Sequence, residues 1–175
     1  MAKETAYSGS RDPRFVTARR GGTLEDPQHR LLASWAADCA EHVLEYFQAQ
    51  HPEDERPRRA IEQARAWSRG EISMTQAREA AYAAHAAAKT ATGAAREAAH
   101  AAGHAVATAH MADHELAAAA YAIRAVRAAS PADTRGEAGR IECQWQRERL
   151  PEAIRALVLS DEELRNRKFW SLFQG

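Results

Sequence analysis

Residues Ala94 to Ala129 contain almost nothing that resists an α-helix. Roughly half of them are alanine, the residue that loses no side-chain entropy on becoming helical, and none is proline. Drawn as one helix the stretch would run about 54 Å, too long for a domain of this size. Asp113 can act as an N-cap, so a break is expected near Met111 to Asp113, giving two antiparallel neighbours. Their small side chains let other helices approach closely, which makes the pair the natural centre of the fold.

The other segments read as shorter amphipathic helices. Asp26-Pro27 opens the first, and the stripe Leu31/Leu32, Trp35, Cys39, Val43, Tyr46/Phe47 repeats at three and four residues up to about Gln50. Pro57 opens a second, with Ile61, Ala64 and Trp67 inward and Gly70 as C-cap. Ser73-Met-Thr-Gln76 is a capping box for a third, ending near Lys89. After Ser130-Pro131, a helix carries Ala138, Ile141 and Trp145, and Pro151 starts another with Ile154, Leu157 and Val158. Ser160-Asp-Glu-Glu163 reads as a further capping box, for a last helix with Leu164, Phe169 and Phe173. No period-2 strand pattern occurs. The expected fold is all-α: seven or eight short antiparallel helices, as a helical-hairpin bundle or a small superhelix, in one domain over residues 26–175. Residues 1–25 are polar and read as a tail, or as an arm with only Phe15, Val16 and Leu24 to bury. Aromatic residues are scarce, so Trp35, Tyr46, Phe47, Trp67, Tyr82, Tyr121, Trp145, Phe169, Trp170 and Phe173 are expected as the core's large anchors.

With 24 basic and 24 acidic residues the net charge is zero, which argues against a general nucleic-acid binder. No apolar run is long enough to cross a membrane, and the N-terminus has no hydrophobic segment of the secretory kind. Two cysteines form no framework, so a reducing cytoplasm is the expected compartment. Thin alanine faces left over at the surface would favour a homodimer.

The histidines are the chemical candidates. His100 and His104, and again His110 and His114, are four apart, so each pair shares a helix face as a metal requires of two imidazoles. Glu97-Ala-Ala-His100 is a Glu-x-x-His motif of the di-iron kind, but no second copy accompanies it. Asp38 and His42 form another four-apart pair, and His85 stands alone. The plainer reading makes all of these surface or bridging residues at the polar edges of alanine-rich helices. Cys39 could meet His42 on one face, yet it belongs to the apolar stripe and reads as a buried, inert thiol. Gly103 lies inside a helix, where it would permit a close crossing. There is no phosphate-cradling glycine loop, no Gly-x-Ser-x-Gly elbow and no His-Glu-x-x-His, so no catalytic residue, cofactor site or cofactor is assigned. Acidic runs at Glu53–Glu55 and Asp161–Glu163, and basic runs at Arg56–Arg59 and Arg165–Lys168, read as solvated faces, or else as a partner surface.

Several stretches resemble a bacterial family of immunity proteins linked to polymorphic toxin systems. They are Leu31-Leu-Ala-Ser-Trp-Ala-Ala-Asp-Cys-Ala-Glu-His-Val-Leu44, Arg56-Pro-Arg-Arg-Ala-Ile-Glu62, Ala64-Arg-Ala-Trp67, Ala102-Gly-His-Ala-Val-Ala-Thr-Ala-His110, Ala119-Ala-Tyr-Ala-Ile123 and Trp145-Gln-Arg-Glu-Arg-Leu-Pro151. The resemblance spans about Leu31 to Leu159. It implies a small helical protein that binds and neutralises a toxin, and it carries no catalytic residues over. The expected function is therefore non-enzymatic masking of a protein partner. The alternative is a metal-binding helical protein or metalloenzyme with ligands from Glu97, His100, His104, His110 and His114, joined by Asp38 and His42.

Overall fold

A computed structural model describes residues 11–175. Among them are seven α-helices: α1 Asp26–Gln50, α2 Arg56–Ser68, α3 Met74–Lys89, α4 Gly93–Ala107, α5 His114–Ala129, α6 Arg135–Glu148 and α7 Glu152–Arg165. No strand forms among the described residues; Thr17 and Leu24 share one isolated bridge. The alanine stretch divides where Asp113 stands, between α4 and α5. Ser73 and Gln76 form the expected capping box: Ser73 Oγ accepts from the Gln76 N–H at 3.2 Å and Gln76 Oε1 accepts from the Ser73 N–H at 2.9 Å.

The helices close around α4 rather than stacking in a row. α4 packs on α1, α2, α3 and α5, while α1 also reaches α5 and α7. Ala98, Ala99, Ala101, Ala102 and Ala105 of α4, and Ala118, Ala119, Ala120 and Ala122 of α5, are buried in a centre from which solvent is absent. With so little side chain between them the backbones come close, and the large residues of α1 (Leu32, Trp35, Val43, Phe47) supply the bulk.

α6 is held to α1 mainly by long side chains. Trp35 Nε1 donates to the Gln146 carbonyl at 2.9 Å, and His42 Nδ1 lies 2.8 Å from Glu142 Oε2. Gln146 is itself buried and donates to the Ala119 carbonyl of α5 at 3.1 Å.

Residues 12–24 lie across the helices as an arm. Two short 3-10 turns, Pro13–Phe15 and Ala18–Arg20, bring Phe15 and Leu24 into the core. Arg14 binds Asp12 and donates to Ser160 Oγ at 2.7 Å, tying the arm to α7. Gly22 permits the tight return, because a Cβ there would stand 2.0 Å from the Val16 carbonyl oxygen. The first ten residues of the expected tail lie outside the described residues.

Several expectations need correction. Ser160-Asp-Glu-Glu163 does not open an eighth helix: α7 runs through it to Arg165, and Ser160 Oγ donates to the Leu157 carbonyl at 2.8 Å. Asp161 and Glu162 are buried rather than solvated, because they face Arg165 and Arg147. Tyr82 and Trp170, expected as core anchors, are 68% and 49% exposed. Ile141 and Leu164 also face out, at 63% and 71%. Tyr82, Ile141 and Leu164 lie on the outward faces of α3, α6 and α7, and Trp170 stands in the turn after α7 with its ring against Tyr121 and Arg124.

Candidate functional site

The sequence-flagged histidines divide among three places. The largest group gathers where α3, α4 and α5 meet. His85 of α3 and His100 of α4 place their Nδ1 atoms 3.0 Å apart, and His104 of α4 and His114 of α5 do the same. The His85 and His104 rings are 4.7 Å apart edge to face, and Tyr121 of α5 stacks on His104 at 5.1 Å. Gly103 makes this possible: a Cβ at that position would lie 2.7 Å from the His85 ring. The close crossing expected at Gly103 is thus a slot for an imidazole. His85, read as isolated, is a full member of the cluster, brought there by tertiary packing that no local spacing signals.

Burial keeps these imidazoles uncharged. His100 is pushed down to about 4, first by desolvation and then by His85, Arg96 and Arg124. His104 is pushed down to about 2 by desolvation, with its three histidine neighbours adding to it. His85 and His114 move the same way, also chiefly through burial. A pair of neutral rings can share one proton across an N···N contact, one donating and one accepting, so the cluster satisfies itself.

This predicts a particular acid response. In the unfolded chain each ring takes up a proton as pH falls through about 6.5, whereas in the fold His100 waits until about 4 and His104 until about 2. The unfolded state therefore binds more protons below pH 6.5. The contribution of the neutral rings is whole above that value and is lost as pH falls, by at most about 1.4 kcal/mol per unit for each group. A His104→Gln variant should show a shallower decline of Tm between pH 6.5 and 4 than the unaltered protein in thermal melts. Parallel curves would mean that the ring is already protonated in the fold.

The remaining candidates do not join the cluster. Glu97 pairs with Arg124 at 2.9 Å, and Arg124 in turn covers the Trp170 ring at 4.1 Å. His110 accepts from Arg78 at 2.9 Å on the opposite side of the α4–α5 turn. Asp38 accepts from Arg65 at 2.8 Å, while His42 turns to Glu142. Among the described residues, no three His, Cys, Asp or Glu side chains are arranged to hold a metal ion. Cys39 is fully buried, with its thiol raised well above the usual range by desolvation, and burial also lifts Cys143 to about 11. Neither is poised as a nucleophile.

The third place is the rim between α1 and α6. The His42 ring lies parallel to the Trp145 indole at 3.6 Å, and the Arg149 guanidinium covers the same indole at 3.8 Å. Asp38, Glu41, Glu45 and Arg58 border this stack in an open cleft. Trp and Arg, presented beside charges of both signs, are the residue types that dominate protein interfaces. Every member of the stack comes from a stretch on which the family resemblance rests, though the stretches lie 100 residues apart in the chain.

An all-helical scaffold whose histidines pack against one another and whose rim carries aromatic and charged side chains has the features of a helical binding protein. Over residues 22–153 the chain matches the family model described as Imm-5 like putative immunity protein, and it belongs to that family. Neither the curated proteins nor the solved structures contain a match to it. The family implies a protein partner, a toxin. No helix among the described residues is long and apolar enough to cross a membrane.

Proposed function

We propose that the protein neutralises a toxin by binding it and masking its active site or substrate path, without catalysis, in the cytoplasm of the cell that makes both. The family match over residues 22–153 carries this reading. The α1–α6 rim is the proposed contact face. Its Trp145 is held flat between His42 and Arg149, so little side-chain freedom remains to be lost on binding.

The test is co-production with candidate toxins in a host that they poison. Growth should be restored, and the two chains should co-elute as one complex. Truncating Trp145 to Ala should weaken that complex by about 2 kcal/mol, roughly 30-fold, by titration calorimetry. Failure to alter sensitivity to any co-produced toxin would end the masking reading. Unchanged affinity of the Trp145→Ala variant would move the contact face elsewhere.

A further inference from the structure

Between the arm and the main body lies a cleft of about 510 Å³, apart from both the histidine cluster and the Trp145 rim. Its volume falls within the range of small-molecule sites. Arg19 and Arg20 reach it from the arm, Arg30 from α1, and Arg11 from the start of the described chain. Asp26 is the one carboxylate in this lining, and Arg19 already binds it at 3.2 Å. The Arg19–Asp26 pair balances itself, and Arg20 and Arg30 add two positive charges that no carboxylate of the lining answers. Arg20 and Arg30 are exposed, with their heads available to a ligand. Behind them Trp67, half-buried at the end of α2, forms an apolar wall with Ile72 and Met74.

We infer that this cleft binds a small organic phosphate of nucleotide size, with the phosphate on the arginines and a planar body against Trp67. A monocarboxylate would answer one of the two charges of Arg20 and Arg30, whereas a phosphate monoester brings about −1.5 to −2 and three acceptor oxygens. Guanidinium forks match phosphate oxygens bidentately, and arginine is the usual residue for that task. The field is felt by the neighbours: beyond the effect of burial, Arg78, Arg20 and Arg11 lower the affinity of His110 for a proton. An anion in the cleft would relieve this repulsion. The site is independent of the masking reading, and a chain that binds its toxin at the rim can hold or lack this ligand.

The experiment is titration calorimetry of the full chain with adenosine 5′-monophosphate, inorganic phosphate and adenosine as separate probes, at 50 mM and 500 mM NaCl. The monophosphate should bind at least tenfold more tightly than either fragment, and more weakly at high salt. The Arg20→Ala/Arg30→Ala variant alters exposed side chains, so its melt should match the unaltered protein while its affinity for the monophosphate falls at least tenfold. A Trp67→Leu variant should lose most of the preference for the monophosphate over inorganic phosphate. Absence of binding at millimolar monophosphate, equal binding of phosphate and monophosphate, or an unchanged affinity in the double arginine variant would each overturn the assignment. So would a double variant that loses toxin binding while binding the monophosphate as before, since the arginines would then serve the protein partner.

Discussion

An Arg165→Met variant is expected to lose about 3–5 kcal/mol of stability in chemical denaturation. Arg165 closes α7 and points inward, between two carboxyl groups that have almost no access to water. It binds Asp161 directly, lies 3.5 Å from Glu115 Oε1, and donates to the Asp113 carbonyl at 2.9 Å. Glu115 is 0% exposed, and burial together with the nearby Asp161 pushes its carboxyl well above the usual range. The guanidinium also sits 5.8 Å from the Phe15 ring of the arm and 5.3 Å from Phe169, so the arm, α5 and α7 meet on one cation. Methionine keeps much of the volume and removes the charge, leaving the acids without their counterion. Adding Glu115→Gln and Asp161→Asn to the same chain should recover most of the loss. A cost below about 1 kcal/mol for Arg165→Met would show that the buried acids do not depend on the guanidinium.

Trp35→Ala should cost a similar amount, about 3–5 kcal/mol, for a different reason. Trp35 is essentially fully buried in a core made largely of alanines, which have no length with which to collapse into a space. The indole also donates to the Gln146 carbonyl, one of the few direct ties between α1 and α6. Truncation therefore opens a cavity and loosens α6 at once. Trp35→Phe keeps most of the bulk and forfeits the hydrogen bond, and should cost about 1 kcal/mol beyond the lost volume. Amide exchange would separate the two contributions: Trp35→Phe should raise exchange in α6 selectively, while Trp35→Ala should raise it throughout. Uniform exchange in both variants would mean that α6 does not depend on the indole.

The helices were legible in the sequence because their signals are local. Pro27, Pro57, the Ser73–Gln76 box, Asp113 and Pro151 stand at or next to the observed helix starts. Where a local signal misled, burial decided. The Ser160–Glu163 box has the right letters, but Asp161 and Glu162 are turned toward Arg165 and Arg147, and a helix already in progress absorbs them. Sites were harder to read. His100, His104 and His114 could be seen on their faces, but His85 enters only because Gly103 leaves a slot on the facing helix. The arginine cleft depends on how residues 1–25 are placed, and their polar composition left a tail and an arm both open. The signal available was Phe15 and Leu24, the apolar residues at either end of a segment with a Gly21-Gly22 turn between them.

The alanine centre also bears on how this protein responds to temperature. Heat-capacity change on unfolding follows the apolar surface newly hydrated, about 0.45 cal/K/mol per Å², offset by the polar surface exposed with it. Where α4 meets α5, most of the buried residues are alanines, and each of these releases one methyl group and a full peptide unit. The ratio of apolar to polar surface exposed is therefore low, and the heat-capacity increment per residue falls below that of a leucine-rich bundle of equal length. A smaller increment flattens the curve of stability against temperature. For a given maximum, such a fold loses less stability on either side of its optimum, so it changes little between a cold cell and a warm one.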